Sequence, residues 1–225
     1  MKIIPAIIPT NLGDIAAHIE KLDGQAQSLQ IDLVDGVFAG EPSWPWNLSK
    51  KDFSSEFEKL LDALTALSQT YEIEIDLMIR EPEKIIKKIL DTGVTRVVIH
   101  HGSTEKILEC LRYRNTNTKI GIAFTNDISA EVVKEYGDSI DFVQCMGIKE
   151  VGVQGNPFDA RVLENIKEIH EIYPSLEISV DGAVSTFTLP LLKAAGAIRF
   201  VVGSAIFAES DPVQAFEKLQ QLASA

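Results

Sequence analysis

Along this chain, short continuous apolar runs alternate with stretches whose apolar residues recur at helical spacing. The runs predict strands at 3–8, 29–34, 73–79, 96–100, 119–124, 140–146, 176–180 and 198–202. The intervening periodicity predicts helices at 12–22, 53–67, 104–112, 129–136, 158–172, 186–194 and 212–222. One more helix opens at Pro82, where a first turn tolerates proline, and buries Ile85, Ile86, Ile89 and Leu90. The strands read as unbroken Ile/Val/Leu segments, as parallel strands covered by helices on their outer face do. Eight strand–helix units of roughly 28 residues each approach the compact limit of a closed barrel. The expectation is an α/β chain folded as one single-domain (β/α)8 TIM barrel over residues 1–225, with an open doubly wound sheet as the other arrangement of these elements.

Composition narrows the partners. The 225 residues hold 33 acidic and 21 basic side chains, a formal net charge of -12. Such a surface repels nucleic acid and anionic lipid, so neither is an expected partner, although one local pocket can still bind an anion. No apolar run approaches a membrane span, and residues 1–9 read as a first core strand rather than a signal peptide. Cys110 and Cys145, far apart in sequence, read as reduced buried thiols of a cytoplasmic protein.

Polar residues interrupt the strands near their C-terminal ends, where barrels of this class place their chemistry. Asp32, Asp76 and Asp181 each follow apolar strand residues, and an unpaired carboxylate is costly to bury there. Each alone reads as a loop or helix cap. Three at equivalent strand ends point to a hard cation or to acid–base chemistry. Glycines and small residues then cluster after the last strands: Gly152 to Gly155, Gly182 with Ala183, and Gly203 with Ser204. Small residues at these junctions let backbone N–H groups approach an anion, so a phosphate is expected there. Trp44 and Trp46, in the long loop 39–51, either cover the barrel mouth as a lid or bury the loop against a second copy, which would make the chain a homo-oligomer. His18 and His170 read as surface residues of helices.

As an ordered set, several segments resemble the ribulose-phosphate 3-epimerase family of ribulose-phosphate-binding barrels. They are Ile4-Pro5-Ala6-Ile7, the run from Ile31 to Phe38, Asp76-Leu77-Met78-Ile79 with Pro82-Glu83, Val98-Ile99-His100, the glycine loop to Phe158, Val180 to Val184, and Gly203 to Phe207. The resemblance implies epimerisation of a phosphorylated ketose, such as the ribulose 5-phosphate/xylulose 5-phosphate pair, at the carbon beside the ketone. It implies Asp32 and Asp181 as the proton-transfer pair, acting through a metal-stabilised enediolate. It also implies phosphate contacts from Gly152, Gly155, Gly182, Ala183, Gly203 and Ser204, and a pocket that includes Ala6, Met78 and His100.

The chain departs from the family at its metal ligands. Gln30 and Asp76 stand where the family has histidines, Ala6 where it has serine, and Ala183 where it has glycine. The metal set becomes Gln30, Asp32, Asp76 and Asp181, all oxygen, which suits Mg²⁺ or Mn²⁺ rather than Zn²⁺. No organic cofactor is expected. The alternatives are a non-catalytic phosphosugar-binding barrel and a decarboxylase or aldolase of the same superfamily. Leu33 and Val34 after Asp32 argue against the latter, which needs a lysine in an Asp-Xaa-Lys-Xaa-Xaa-Asp pattern.

Overall fold

A strand buried on both faces needs neighbours on both faces, and the eight apolar runs meet that demand by closing on one another. The structure, a computed structural model, describes residues 1–153 and 155–225. Its strands are β1 (Lys2–Ile7), β2 (Ser28–Val34), β3 (Glu72–Met78), β4 (Arg96–His100), β5 (Lys119–Phe124), β6 (Phe142–Met146), β7 (Glu177–Asp181) and β8 (Arg199–Val202). They form a closed barrel in sequence order, with every adjacent pair parallel and β1 against β8. The expected single (β/α)8 barrel is the observed fold.

The helices are α1 (Leu12–Glu20), α2 (Lys50–Leu67), α3 (Ile86–Leu90), α4 (Ile107–Leu111), α5 (Val133–Tyr136), α6 (Val162–Ile172), α7 (Leu189–Ala195), α8 (Ser204–Phe207) and α9 (Pro212–Ser224). Asn11 and Asp211 cap α1 and α9 by accepting from Asp14 N and Gln214 N. The predicted helix at 129–136 divides into a 3-10 turn, Ala130–Val132, and α5. The predicted helix at 158–172 starts late, because the Asp159 N–H donates to Gly147 O instead of opening a helical turn. α8 escapes periodicity because four residues make barely one turn.

Alternation along each strand divides the core in two. Outward residues such as Leu29, Ile31, Leu33, Ile73, Ile75 and Leu77 are fully buried against the helices. Each large aliphatic side chain removed from water there contributes about 1.5–3 kcal/mol. Inward residues fill the barrel, and many are polar. Pairing of β2 with β3 puts Gln30 beside Glu74 and Asp32 beside Asp76. The lower interior is closed by Phe142, whose ring lies under the Arg96 guanidinium at 3.8 Å. Gly121 makes room for it, since a Cβ there would come within 2.4 Å of the ring.

The tryptophans of the long loop after β2 pack inward, away from the barrel mouth. Trp44 is 2% exposed, donates its N–H to Pro9 O and its indole N–H to Glu56, and belongs to the main apolar core. Trp46 sits edge-on against Phe53 and Phe57 of α2. Trp44 is thus a core residue rather than part of a lid, while Trp46 packs half-buried on the aromatic face of α2.

Candidate active site

The upper half of the barrel interior is a network of carboxylates and carboxamides. Asp32 from β2, Asp76 from β3 and Asp181 from β7 each offer an oxygen, and these oxygens lie within 4.8 Å of one another. Gln30 Nε2 donates to Asp32 Oδ1 at 2.8 Å and to Asp181 Oδ2 at 3.0 Å. Gln144 Nε2, from β6, donates to Asp76 Oδ2 at 2.8 Å and to Asp181 Oδ2 at 3.4 Å. His100 Nε2 shares a hydrogen with Asp76 Oδ1 at 2.8 Å and thereby fixes that carboxylate.

No cationic side chain is hydrogen-bonded to Asp32 or Asp181 among the described residues, and their acidity reflects it. Burial, with Asp181 and Asp76 adding like charge, pushes the Asp32 carboxyl well above the ordinary range. Burial and then the Asp76 charge push Asp181 up to about 7, with the Gln30 hydrogen bond pulling the other way. Two buried carboxyls this close share protons rather than ionise together.

Above the network lies a cleft open to solvent. Asp32 and Asp181 reach it, as do Ala6 and Met78, and its far wall holds Gly152, Gly155, Gly182, Ala183, Gly203 and Ser204. Gln154, within the glycine loop singled out from sequence, lies outside the described residues. His100 does not line the cleft. It is 1% exposed and stands behind Asp76, with its ring 5.5 Å from Phe38. Gln30 and Asp76, each 0% exposed, form the layer beneath the floor. No Lys or Arg is among the residues lining the cleft. An anion there would meet backbone dipoles, and Gly182 and Ala183 adopt successive positive φ angles of 93° and 51° that turn their peptides.

Close backbone approaches hold these loops. A Cβ on Gly147 would fall 2.2 Å from Gly182 O, and one on Gly40 2.4 Å from Gly152 O. Asp35 accepts from Val37 N, Phe38 N and Arg80 N, tying the loop after β2 to the loop after β3.

The donor set fits a hard divalent cation. It comprises three carboxylates, with the buried carboxamides of Gln30 and Gln144 hydrogen-bonded to them; among the described residues Gln30 Oε1, Gln144 Oε1 and Ser179 Oγ, the last in register with Gln144, are buried without a partner. Gln144 was not singled out from sequence. Its signal was there: one polar residue inside the apolar run Phe142 to Met146, two positions from each end. The two thiols are both free and buried, and burial pushes each up to about 12, far from nucleophilic use at neutral pH.

The family model described as "Ribulose-phosphate 3 epimerase family" matches residues 2–207. The chain belongs to the ribulose-phosphate 3-epimerase family. A protein of Bacillus subtilis named ribulose-phosphate 3-epimerase is 25% identical over 227 residues, covering 98% of this chain and 98% of that one. One of the same name from Schizosaccharomyces pombe is 30% identical over 145 residues, 64% of this chain and 63% of that one. Among solved structures, 3-hexulose-6-phosphate synthase from Salmonella typhimurium superposes with a TM-score of 0.70 at 16% identity, covering 100% of this chain and 99% of that one. At that identity the likeness is one of fold. Among the described residues no helix is long and apolar enough to cross a membrane.

Proposed function

We propose that this chain epimerises a phosphorylated ketose, such as ribulose 5-phosphate, at the carbon next to its carbonyl, with Asp32 and Asp181 as the proton-transfer pair. The observation that carries this reading is that these two carboxyls, from opposite parts of the chain, open into one cleft. Membership of an epimerase family supports the reaction class.

A carbon acid beside a carbonyl needs a base on one face, an acid on the other and positive charge near the developing enediolate oxygens. The pair is poised for the first two tasks. Burial and mutual repulsion lower the acidity of both carboxyls, so that one holds a proton while the other is free to ionise. The ionised member takes the proton, the protonated member delivers one to the opposite face, and the reverse reaction exchanges their roles. Asp32, Asp76, Asp181 and Gln30 would hold a divalent cation, Mg²⁺ or Mn²⁺ rather than Zn²⁺, which when bound supplies the positive charge. Backbone N–H groups around Gly152, Gly155, Gly182, Ala183, Gly203 and Ser204 would hold the phosphate ester and fix the sugar over the pair. The pair stands at the base of the cleft, where bound substrate would displace the water that competes for the proton.

The reading is tested by incubating the protein with ribulose 5-phosphate in D₂O, with and without Mn²⁺. Deuterium is expected at C3, together with the epimer. No exchange with this and other ketose phosphates, alongside measurable binding, would leave only a phosphosugar-binding barrel.

A further inference from the structure

Gln144 projects into the barrel from β6 and is 0% exposed. Its amide nitrogen spans Asp76 and Asp181, as that of Gln30 spans Asp32 and Asp181. Each glutamine thus ties together two carboxylates from different strands, and both amides meet the same oxygen, Asp181 Oδ2. Both leave their carbonyl oxygen buried with no partner. A buried acceptor without a donor is unfavourable, and here both belong to amides whose nitrogens meet one carboxylate cluster.

The two ends of a carboxamide are nearly isosteric, so a half-turn about the last side-chain bond exchanges oxygen for nitrogen in place. With no cation in the cluster the nitrogens must face inward, because carbonyl oxygens there would meet carboxylate oxygens. With a divalent cation the preference reverses. In a six-coordinate site with bonds of about 2.1 Å, neighbouring ligand atoms lie about 3.0 Å apart. The four amide-to-carboxylate distances are 2.8, 3.0, 2.8 and 3.4 Å, the spacing of such neighbours.

We infer that Gln144 is a fifth oxygen ligand of the cation site, and that Gln30 and Gln144 turn their amides between a hydrogen-bonding position in the empty site and a ligating position in the loaded one. Five protein oxygens leave one place in six for an oxygen of the substrate. The all-oxygen set selects Mg²⁺ or Mn²⁺ over softer ions. The inference rests on the cation-assisted reading above and adds to it a residue from β6.

The test is Mn²⁺ binding by calorimetry, joined to NMR of the glutamine side-chain amides during Mg²⁺ titration. Gln144→Leu, which fits an apolar strand, is expected to weaken Mn²⁺ binding by about 10–100-fold. Gln144→Glu, which offers oxygen at either end, is expected to bind at least as tightly as the unaltered protein and to gain more in melting temperature when Mn²⁺ is added. The amide signals of Gln30 and Gln144 are expected to shift as Mg²⁺ saturates. Unaltered affinity in Gln144→Leu, or amide signals that stay still at saturation, would overturn the inference. Deuterium exchange by a protein that binds no Mn²⁺ would overturn it while leaving the epimerase reading standing. Binding as expected without any exchange would do the reverse.

Discussion

The barrel interior holds two polar layers, one above the other, and they solve the same burial problem in opposite ways. In the lower layer Glu74, 0% exposed, lies between two guanidiniums, with Arg96 Nε at 2.5 Å and Arg199 Nη2 at 3.2 Å. Arg96 also reaches Glu177 at 2.7 Å. Burial works against the Glu74 charge, but Arg199 and Arg96 together outweigh it and hold the carboxyl below its ordinary value. In the upper layer Asp32 is buried and Asp181 half-buried at the cleft, with only amides for donors, and both are pushed up. Burial alone therefore does not decide ionisation here; the sign of the neighbours does. The lower layer is electrically complete and closes the barrel. The upper layer has a surplus of negative charge that protons, a cation or a substrate's polar groups can relieve, and it is the layer that opens to the cleft.

The largest effect that can separate the layers is on stability. Glu74→Gln would leave Arg199 buried without a counter-charge and Arg96 with Glu177 alone. It is expected to cost about 3–5 kcal/mol in denaturant unfolding. Asp76→Asn, equally buried in the upper layer, removes a like charge and is expected to cost far less, or to stabilise, when chelator is present. Equal losses from the two changes would erase the contrast.

A smaller effect follows from pH. Asp181 has an ordinary value of 3.8 and a folded value of about 7, so between those limits the folded protein binds more protons than the unfolded chain. Its neutral form contributes stability that is complete below about pH 4 and fades as pH rises toward 7, on the order of 1 kcal/mol per pH unit. Glu74 behaves oppositely and lower down. Its stability is present above 4.5 and is lost only as pH falls through its depressed value. In chelator, melting temperature should therefore fall from pH 5 to pH 7, and Asp181→Asn should reduce that slope. A slope unchanged by Asp181→Asn would place the proton uptake elsewhere.

The sequence made the barrel legible because parallel strands covered by helices are apolar at consecutive positions, and each run from Ile3 to Val202 stands out against its polar flanks. The three aspartates were legible for the same reason, as charges breaking those runs. What stayed hidden depends on direction rather than on type. Gln144 and Glu74 face inward by strand parity, which is read only once the register between neighbouring strands is known. His100 was expected at the cleft and lies behind Asp76, because β4 ends at it and the chain turns away at Gly102, with φ of 79°. Trp44 was expected in a lid or against a second copy, because it stands in a long loop with no periodicity to mark an inner face. Only the tertiary contact with Pro9 and Glu56 draws it into the core.

The central claim is that Asp32 and Asp181 serve opposite faces of one substrate, and the sharpest test follows each epimer separately. Ribulose 5-phosphate and xylulose 5-phosphate are each incubated in D₂O with Asp32→Asn and with Asp181→Asn, and C3 is observed by NMR. Loss of one member is expected to lower net epimerisation by about 10²–10⁴-fold while the survivor still exchanges the proton on its own face. Each variant should then deuterate only one epimer, and the two variants should choose opposite ones. Both variants deuterating the same epimer, or either epimerising at the unaltered rate, would contradict the assignment.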